Sequence, residues 1–350
     1  MVMIASRSNR IAYFDFLRVF ATFAIMIQHI DPYRSQDPNT AAYVIRLIFD
    51  LITRCGVPLF LMISGALFLG SESSIKRIYT HNILRVFIAF VFWSALYAVI
   101  RTVIFGYGTI NMVIEFFFGH YHMWFMWLIM ELYILTPILR KIVSSWKIGK
   151  YFLIILLIFT SIIPMLTDSV TRISSELGNL VGRTFQGYLR NEFHIGVFYF
   201  VFGYYLSKCH LTVCRRRWIY AMGIFGLLIS GFGSYGLAKN GVVDLPLLNN
   251  NYITIVAFTG AVFVFARSHC SFDGMKGWAV SLILKLSKYS FGAYLVHALV
   301  IEMIEHYIGY ELFQIGPIFS LLLLFLVVCV VSFSISAIIN HIPFIKKYIV

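Results

Sequence analysis

The stretch IAYFDFLRVFATFAIMIQHI (residues 11–30) decides how this chain is read. About 20 largely apolar residues suffice to carry an α-helix across a bilayer core. This stretch nevertheless holds Asp15, Arg18 and His29. An ionisable group at the centre of a span costs at least about 2.5–3.5 kcal/mol, so it needs a partner or a water-filled cavity. Arg18 and His29 share one helix face, roughly 16 Å apart along the axis at about 1.5 Å per residue. Asp15, one turn before Arg18, can pair with it. The stretch is too long for a cleavable signal peptide, and Arg18 interrupts its apolar part.

Comparable windows recur near 43–69, 82–104, 122–139, 151–166, 193–207, 218–238, 251–267, 289–308 and 317–339, which makes ten spans in all. Window 151–166 is short, and 193–207 carries His194 and glycines. Composition agrees: the 350 residues are 60% hydrophobic and 12% charged, with mean hydropathy +0.84. A soluble domain carries about 25% charged residues. Disorder, a soluble two-domain enzyme and a nucleic-acid-binding basic domain are excluded, so nucleic acid is not an expected partner. The expected fold is all-α: a polytopic membrane protein of about ten transmembrane helices, forming a single domain over 1–350.

The net charge of +13 is then a question of sides. Nineteen basic residues fall in the gaps on one side: Arg7 and Arg10, then Lys76, Arg77 and Arg85, then the groups at 140–150, 208–217, 267–288 and Lys346 and Lys347. Seven fall opposite: Arg34, Arg46, Arg101, Arg172, Arg183, Arg190 and Lys239. Basic residues concentrate on the cytoplasmic face, which places both termini there. The outer segment 167–192 has room for an amphipathic helix or a lid. The five cysteines show neither paired nor metal-ligand spacing, so no metal site is expected.

In the second span Arg46, Asp50 and Arg54 form an i, i+4, i+8 stripe that ends mid-membrane. Gly56, Pro58 and Gly65 follow, suited to a kink or to close packing. Ser64 reads as a hydroxyl bonded to its own helix backbone, with a nucleophile as the alternative. GHYHMWFMW (119–127) puts His120 and His122 beside Trp124 and Trp127. The tryptophans read as a membrane-interface belt. The histidines, level with His29, make a titratable cluster able to supply a general base. Their i, i+2 spacing keeps them off a common helix face. Glu131 lies mid-span and is expected to be protonated or paired with an arginine such as Arg54. His297 is a lone histidine on an apolar helix and reads as structural.

Four segments together, FDFLRVFATFAIMIQH (14–29), RCGVPLFLMISGALFLG (54–70), HMWFMWLIMELYILTP (122–137) and LSKYSFGAYLVHALVI (286–301), resemble the acyltransferase 3 family of integral membrane acyltransferases. Within it they are most like stand-alone O-acetyltransferases of bacterial surface polysaccharides, and the likeness runs from near residue 11 to near 340. The resemblance implies a bacterial inner-membrane enzyme that takes acetyl-CoA, or another acyl-CoA, from the cytoplasm. The acyl group would pass to a hydroxyl of an extracytoplasmic glycan or lipid-linked saccharide. It places the family's functional positions on Arg18, His29, Arg54, His122, Tyr133 and His297. Lys76, Arg77 and Arg85 match more loosely a basic cluster near the CoA phosphates. His120 and Glu131 fall outside the resemblance.

On this reading Lys76, Arg77 and Arg85 attract the nucleotide end of acyl-CoA, Arg18, with Asp15 beside it, lines the tunnel, and His29 is the general base. Arg54 and His122 stabilise the oxyanion. Phe116–Phe118, Trp124, Tyr188 and Tyr252 are placed to stack on sugar faces or to anchor in membrane lipid. Two other classes fit the same composition: a transporter of an anion or lipid-linked sugar, and a non-catalytic membrane binding module.

Overall fold

A computed structural model describes residues 11–30, 37–106, 108–174, 176, 192–241, 247–310 and 315–343. Every regular element among them is a helix. They are α1 (Ala12–Gln28), α2 (Ala41–Thr53), α3 (Gly56–Leu69), α4 (Ile75–Val103), α5 (Thr109–Phe118) and α6 (Trp124–Ser144). After these come α7 (Trp146–Arg172), α8 (Glu192–Lys208), α9 (Val213–Lys239), α10 (Ile253–His269), α11 (Gly277–Tyr307) and α12 (Pro317–His341). Arg7, Arg10, Arg34, Arg183, Arg190, Lys346 and Lys347 lie outside the described residues, as does Tyr188 with most of the expected outer segment.

Among the described residues, six helical stretches are long and apolar enough to cross a membrane: 41–69, 75–103, 109–144, 146–172, 213–239 and 317–341. The expected span at 151–166 is thus longer than hydropathy alone suggested. Its helix starts at Trp146, where the Ser145 hydroxyl accepts from the Ile148 amide at 3.4 Å, and so takes in Lys147 and Lys150. Expected spans 11–30, 193–207 and 251–267 fall on 17-residue helices. Expected span 289–308 falls on the 31-residue α11, which ends at Tyr307 and also carries Lys285 and Lys288.

The stripe in the second span ends in a two-residue break at Arg54 and Cys55 between α2 and α3, just ahead of Gly56 and Pro58, where a kink was expected. Glycines then set the packing. A Cβ on Gly65 would strike the Phe200 backbone, and one on Gly203 would strike the Met62 backbone. Since Cβ atoms tilt toward the helix N-terminus, these reciprocal contacts put Gly65 and Gly203 at one level of two parallel helices in backbone contact. Such small-residue contacts bring helices together where lipid removes the usual hydrophobic drive. Around them Leu59, Met62, Leu132, Phe198 and Phe263 form one core, while Trp93, Tyr97, Met126, Leu295 and Leu324 form another. Phe225, Phe232, Phe319 and Leu326 remain exposed on the outside of the bundle, the pattern of lipid-facing helices.

Side chains fasten the two ends. At one, Arg140 donates to the carbonyls of Phe68 (3.0 Å) and Ser73 (2.5 Å), and Arg267 donates to those of Leu206 (2.6 Å) and Cys209 (2.9 Å). At the other, Lys239 donates to Asn39, and the Tyr199 hydroxyl donates to the Asn250 carbonyl at 2.7 Å. His29, His297 of α11 and the two histidines just before α6 belong to this second end.

Candidate active site

A cavity of about 1340 Å³ opens at the first end. Its walls carry Arg18 of α1, Ser64 of α3, Arg85 of α4, Tyr133 of α6, and Lys285 and Lys288 of α11. Asp15 is 1% exposed, and its Oδ1 lies 3.5 Å from Arg18 Nη1 and accepts from Ser287 Oγ at 2.5 Å. The sequence-level Asp15–Arg18 pair therefore forms, and it also ties α1 to α11. Tyr133 stacks on Phe68 with ring centroids 4.2 Å apart, and its hydroxyl is hydrogen-bonded to Ser64. Ser64 thus serves the cavity wall, contrary to the expected bond to its own helix. Pro137, one turn beyond Tyr133, removes the amide that would bond the Tyr133 carbonyl.

Toward the other end the cavity closes on Phe60, Phe125 and Phe291. Phe125 packs 6.1 Å from Phe60 and 6.0 Å from Tyr294, measured between ring centroids. Beyond this aromatic floor stands a cluster of four histidines.

His29, the C-cap of α1, places Nδ1 2.9 Å from the Ile25 carbonyl and 3.2 Å from His297 Nε2. The other nitrogen of His297 lies 2.5 Å from the Tyr294 carbonyl. A carbonyl can only accept, which assigns both tautomers. His297 carries its proton on Nδ1, and His29 donates from Nδ1 to Ile25 and to His297 Nε2. The lone pair of His29 is left on Nε2. Helical spacing alone read His297 as structural, while the family resemblance counted it among the functional positions. It is fully buried yet holds His29, because residue 297 on α11 and the end of α1 meet only in three dimensions.

The second pair corrects another expectation. His120 and His122 were expected to point apart, as i, i+2 residues do on an α-helix, yet their Nδ1 atoms are 3.0 Å apart. Residues 121–123 form a 3₁₀ turn before α6, and this turn brings the rings together. His120 Nε2 also lies 3.0 Å from Glu302 Oε1. Glu302 in turn lies 3.7 Å from Arg101, which is bonded to Glu115 at 2.6 Å. With both rings neutral, His120 donates to Glu302 and accepts from His122. His122 and His297 pack edge to face at 5.1 Å, and the Tyr294 hydroxyl donates to the His122 carbonyl, so the two pairs form one cluster.

Arg54 sits at the α2–α3 break, and the Gln28 amide donates to the Thr53 carbonyl beside it. Arg46 Nε lies 3.7 Å from Asp50. Glu131 does not meet Arg54. It sits on an exposed face of α6 with no ion pair among the described residues. Helical spacing puts it mid-span but cannot tell which face of α6 turns outward. Trp124 is also exposed, as a belt residue would be. Lys76 and Arg77 are exposed in the first turn of α4, while Arg85 reaches the cavity wall.

Arg101, Glu115, Glu302, Ser287, Lys285 and Lys288 were not singled out in the sequence as site residues. They lie near span ends, where charges look solvated, and no local spacing links positions 101, 115 and 302.

A family model described as an acyltransferase domain matches residues 11–341. No curated protein and no solved structure matches the chain.

Proposed function

The chain belongs to the acyltransferase 3 family of membrane acyltransferases, and from that membership we propose that it transfers an acyl group, acetyl in the first instance, from acyl-CoA to a saccharide hydroxyl. The acceptor is an extracytoplasmic glycan or lipid-linked saccharide. In this reading the chain sits in a bacterial inner membrane with ten spans and both termini cytoplasmic. The cavity mouth then faces the cytoplasm and the histidine cluster the outer side.

One observation carries the reading: His29 is held by its Nδ1, leaving Nε2 as a base beyond the floor of a basic cavity. Arg18, Arg85, Lys285 and Lys288 offer charge for the phosphates of a polyanionic donor. The slim pantetheine arm would reach between Phe60, Phe125 and Phe291 to bring the thioester to the cluster. His29 Nε2 takes the proton of the acceptor hydroxyl as its oxygen bonds to the thioester carbonyl carbon. The carbon–sulfur bond then breaks, and the departing thiolate recovers the proton from His29, so the enzyme ends unchanged. Arg54, at the α2–α3 break, is the cation assigned to oppose the oxyanion's charge in this reading.

The test is transfer from radiolabelled acetyl-CoA by purified protein. His29→Ala should keep its fold and its acyl-CoA binding and lose about 10²–10⁴-fold in rate, the usual contribution of a general base. Transfer at the wild-type rate by that variant would refute the mechanism. Translocation of a label without acyl transfer would favour a transporter.

A further inference from the structure

A second polar pocket lies at the histidine end of the bundle and has no part in the chemistry above. Its volume is about 360 Å³, within the range of small-molecule sites. Asp168, Thr171 and Arg172 line it from the end of α7, and Asn249, Asn251 and Tyr252 from the segment that leads into α10. The Tyr252 hydroxyl donates to Asp168 Oδ2 at 2.7 Å and is also bonded to Arg172, so one anion and one cation are joined through a phenol. Asn249 is committed elsewhere, since its Oδ1 accepts from the Asn251 amide at 3.0 Å.

Asn251 is the informative member. Its side chain is only 8% exposed, and its Oδ1 has no hydrogen-bond partner among the described residues. A buried carbonyl oxygen left without a donor typically costs about 1–3 kcal/mol, and Asn251 is one of the residues that line the pocket. A ligand that donates a hydrogen bond would satisfy it. The charges of Asp168 and Arg172 cancel, which disfavours an ionic ligand. The carboxylate and amide oxygen present acceptors and the guanidinium presents donors, while the Thr171 hydroxyl, which donates to the Thr167 carbonyl at 2.8 Å, can only accept; together they complement neighbouring sugar hydroxyls that both give and take. Pro164 adds an apolar surface for the C–H face of a ring.

We propose that this pocket binds an uncharged hexose unit of the acceptor glycan, away from the point of acyl transfer. The pocket's ligand class follows from its own chemistry, and only the link to an acceptor rests on the acyltransferase reading.

Saturation-transfer NMR tests the site without any acyl transfer. The full chain in detergent micelles is titrated with the methyl glycosides of glucose, galactose and N-acetylglucosamine. At least one should receive saturation from wild-type protein and, with equal affinity, from His29→Ala. Asn251→Leu and the exposed-site variant Arg172→Ala should each weaken that binding by about tenfold, as loss of one or two hydrogen bonds would. Arg172→Ala serves as the readout if Asn251→Leu fails to fold. The proposal is overturned if no glycoside binds wild type, if Arg172→Ala binds as wild type does, or if His29→Ala abolishes binding. A chain that binds a glycoside here but transfers no acetyl would leave the site standing and defeat the enzymatic reading.

Discussion

His297 Nε2 stands 3.2 Å from His29 Nδ1, so the proposed base is oriented by a second imidazole where many catalytic histidines are held by a carboxylate. The Tyr294 carbonyl fixes the proton of that second ring on the far side, which makes His297 an acceptor toward His29.

His297 is thus a positioning residue. His297→Ala should lower kcat by about tenfold or more, less than the loss of the base itself, while acyl-CoA Kd stays within about twofold. His297→Gln, whose amide oxygen can still accept from His29, should recover part of the loss. Equal rates for the alanine and glutamine variants would show that the acceptor at this position does nothing.

Only a neutral His29 can take a proton, so transfer should fall as pH drops through the titration of the ring and level off above it. The acid limb of the kcat profile should shift when His297 is replaced by Gln, because the neighbouring ring is removed. A profile identical in both proteins would separate the limb from the His29–His297 pair.

Donor binding should depend on the cavity wall more than on net basicity. Arg85→Ala and Lys288→Ala, both in the wall, should each weaken CoA binding by about tenfold and flatten its salt dependence. Arg77→Ala, on an exposed turn outside the wall, should change Kd by less than about twofold. Calorimetric titration with CoA at two ionic strengths measures both. Equal losses for Arg77 and Arg85 would move the nucleotide end of the donor out of the cavity.

The α3–α8 contact leaves no space at its glycines. Gly203→Val should lower stability by about 1–3 kcal/mol, the usual range for overpacking, and depress the thermal unfolding midpoint in detergent. Gly236→Val, where nothing lies within 4 Å, should be nearly silent by the same measure.

Much of the architecture was legible because hydropathy and helix length are local properties. The Asp15–Arg18 pair follows from spacing within one helix, and the interruption near Gly56 and Pro58 from the residues that favour a kink. What spacing cannot supply is rotation and neighbourhood. Glu131 reads as a buried charge until α6 is seen to turn it outward. His297 reads as an isolated ring until α11 is packed against the end of α1. The contact between His120 and His122 was hidden by assuming an α-helix where the chain makes a 3₁₀ turn. The Arg101–Glu115–Glu302 network needs three helices assembled before any of its members looks remarkable for more than its sign.

Phe60, Phe125 and Phe291 have a bearing on the living cell as well as on catalysis. A passage lying open from the lysines of α11 to the histidines of α6 would be a wire for protons, and it would discharge the gradient across its membrane. Packed together, the three aromatic rings that line the cavity would interrupt that wire. Under the proposed acyl-CoA reading they would have to part for the width of one pantetheine chain, which would fill the gap as it entered and keep the circuit broken during each turnover.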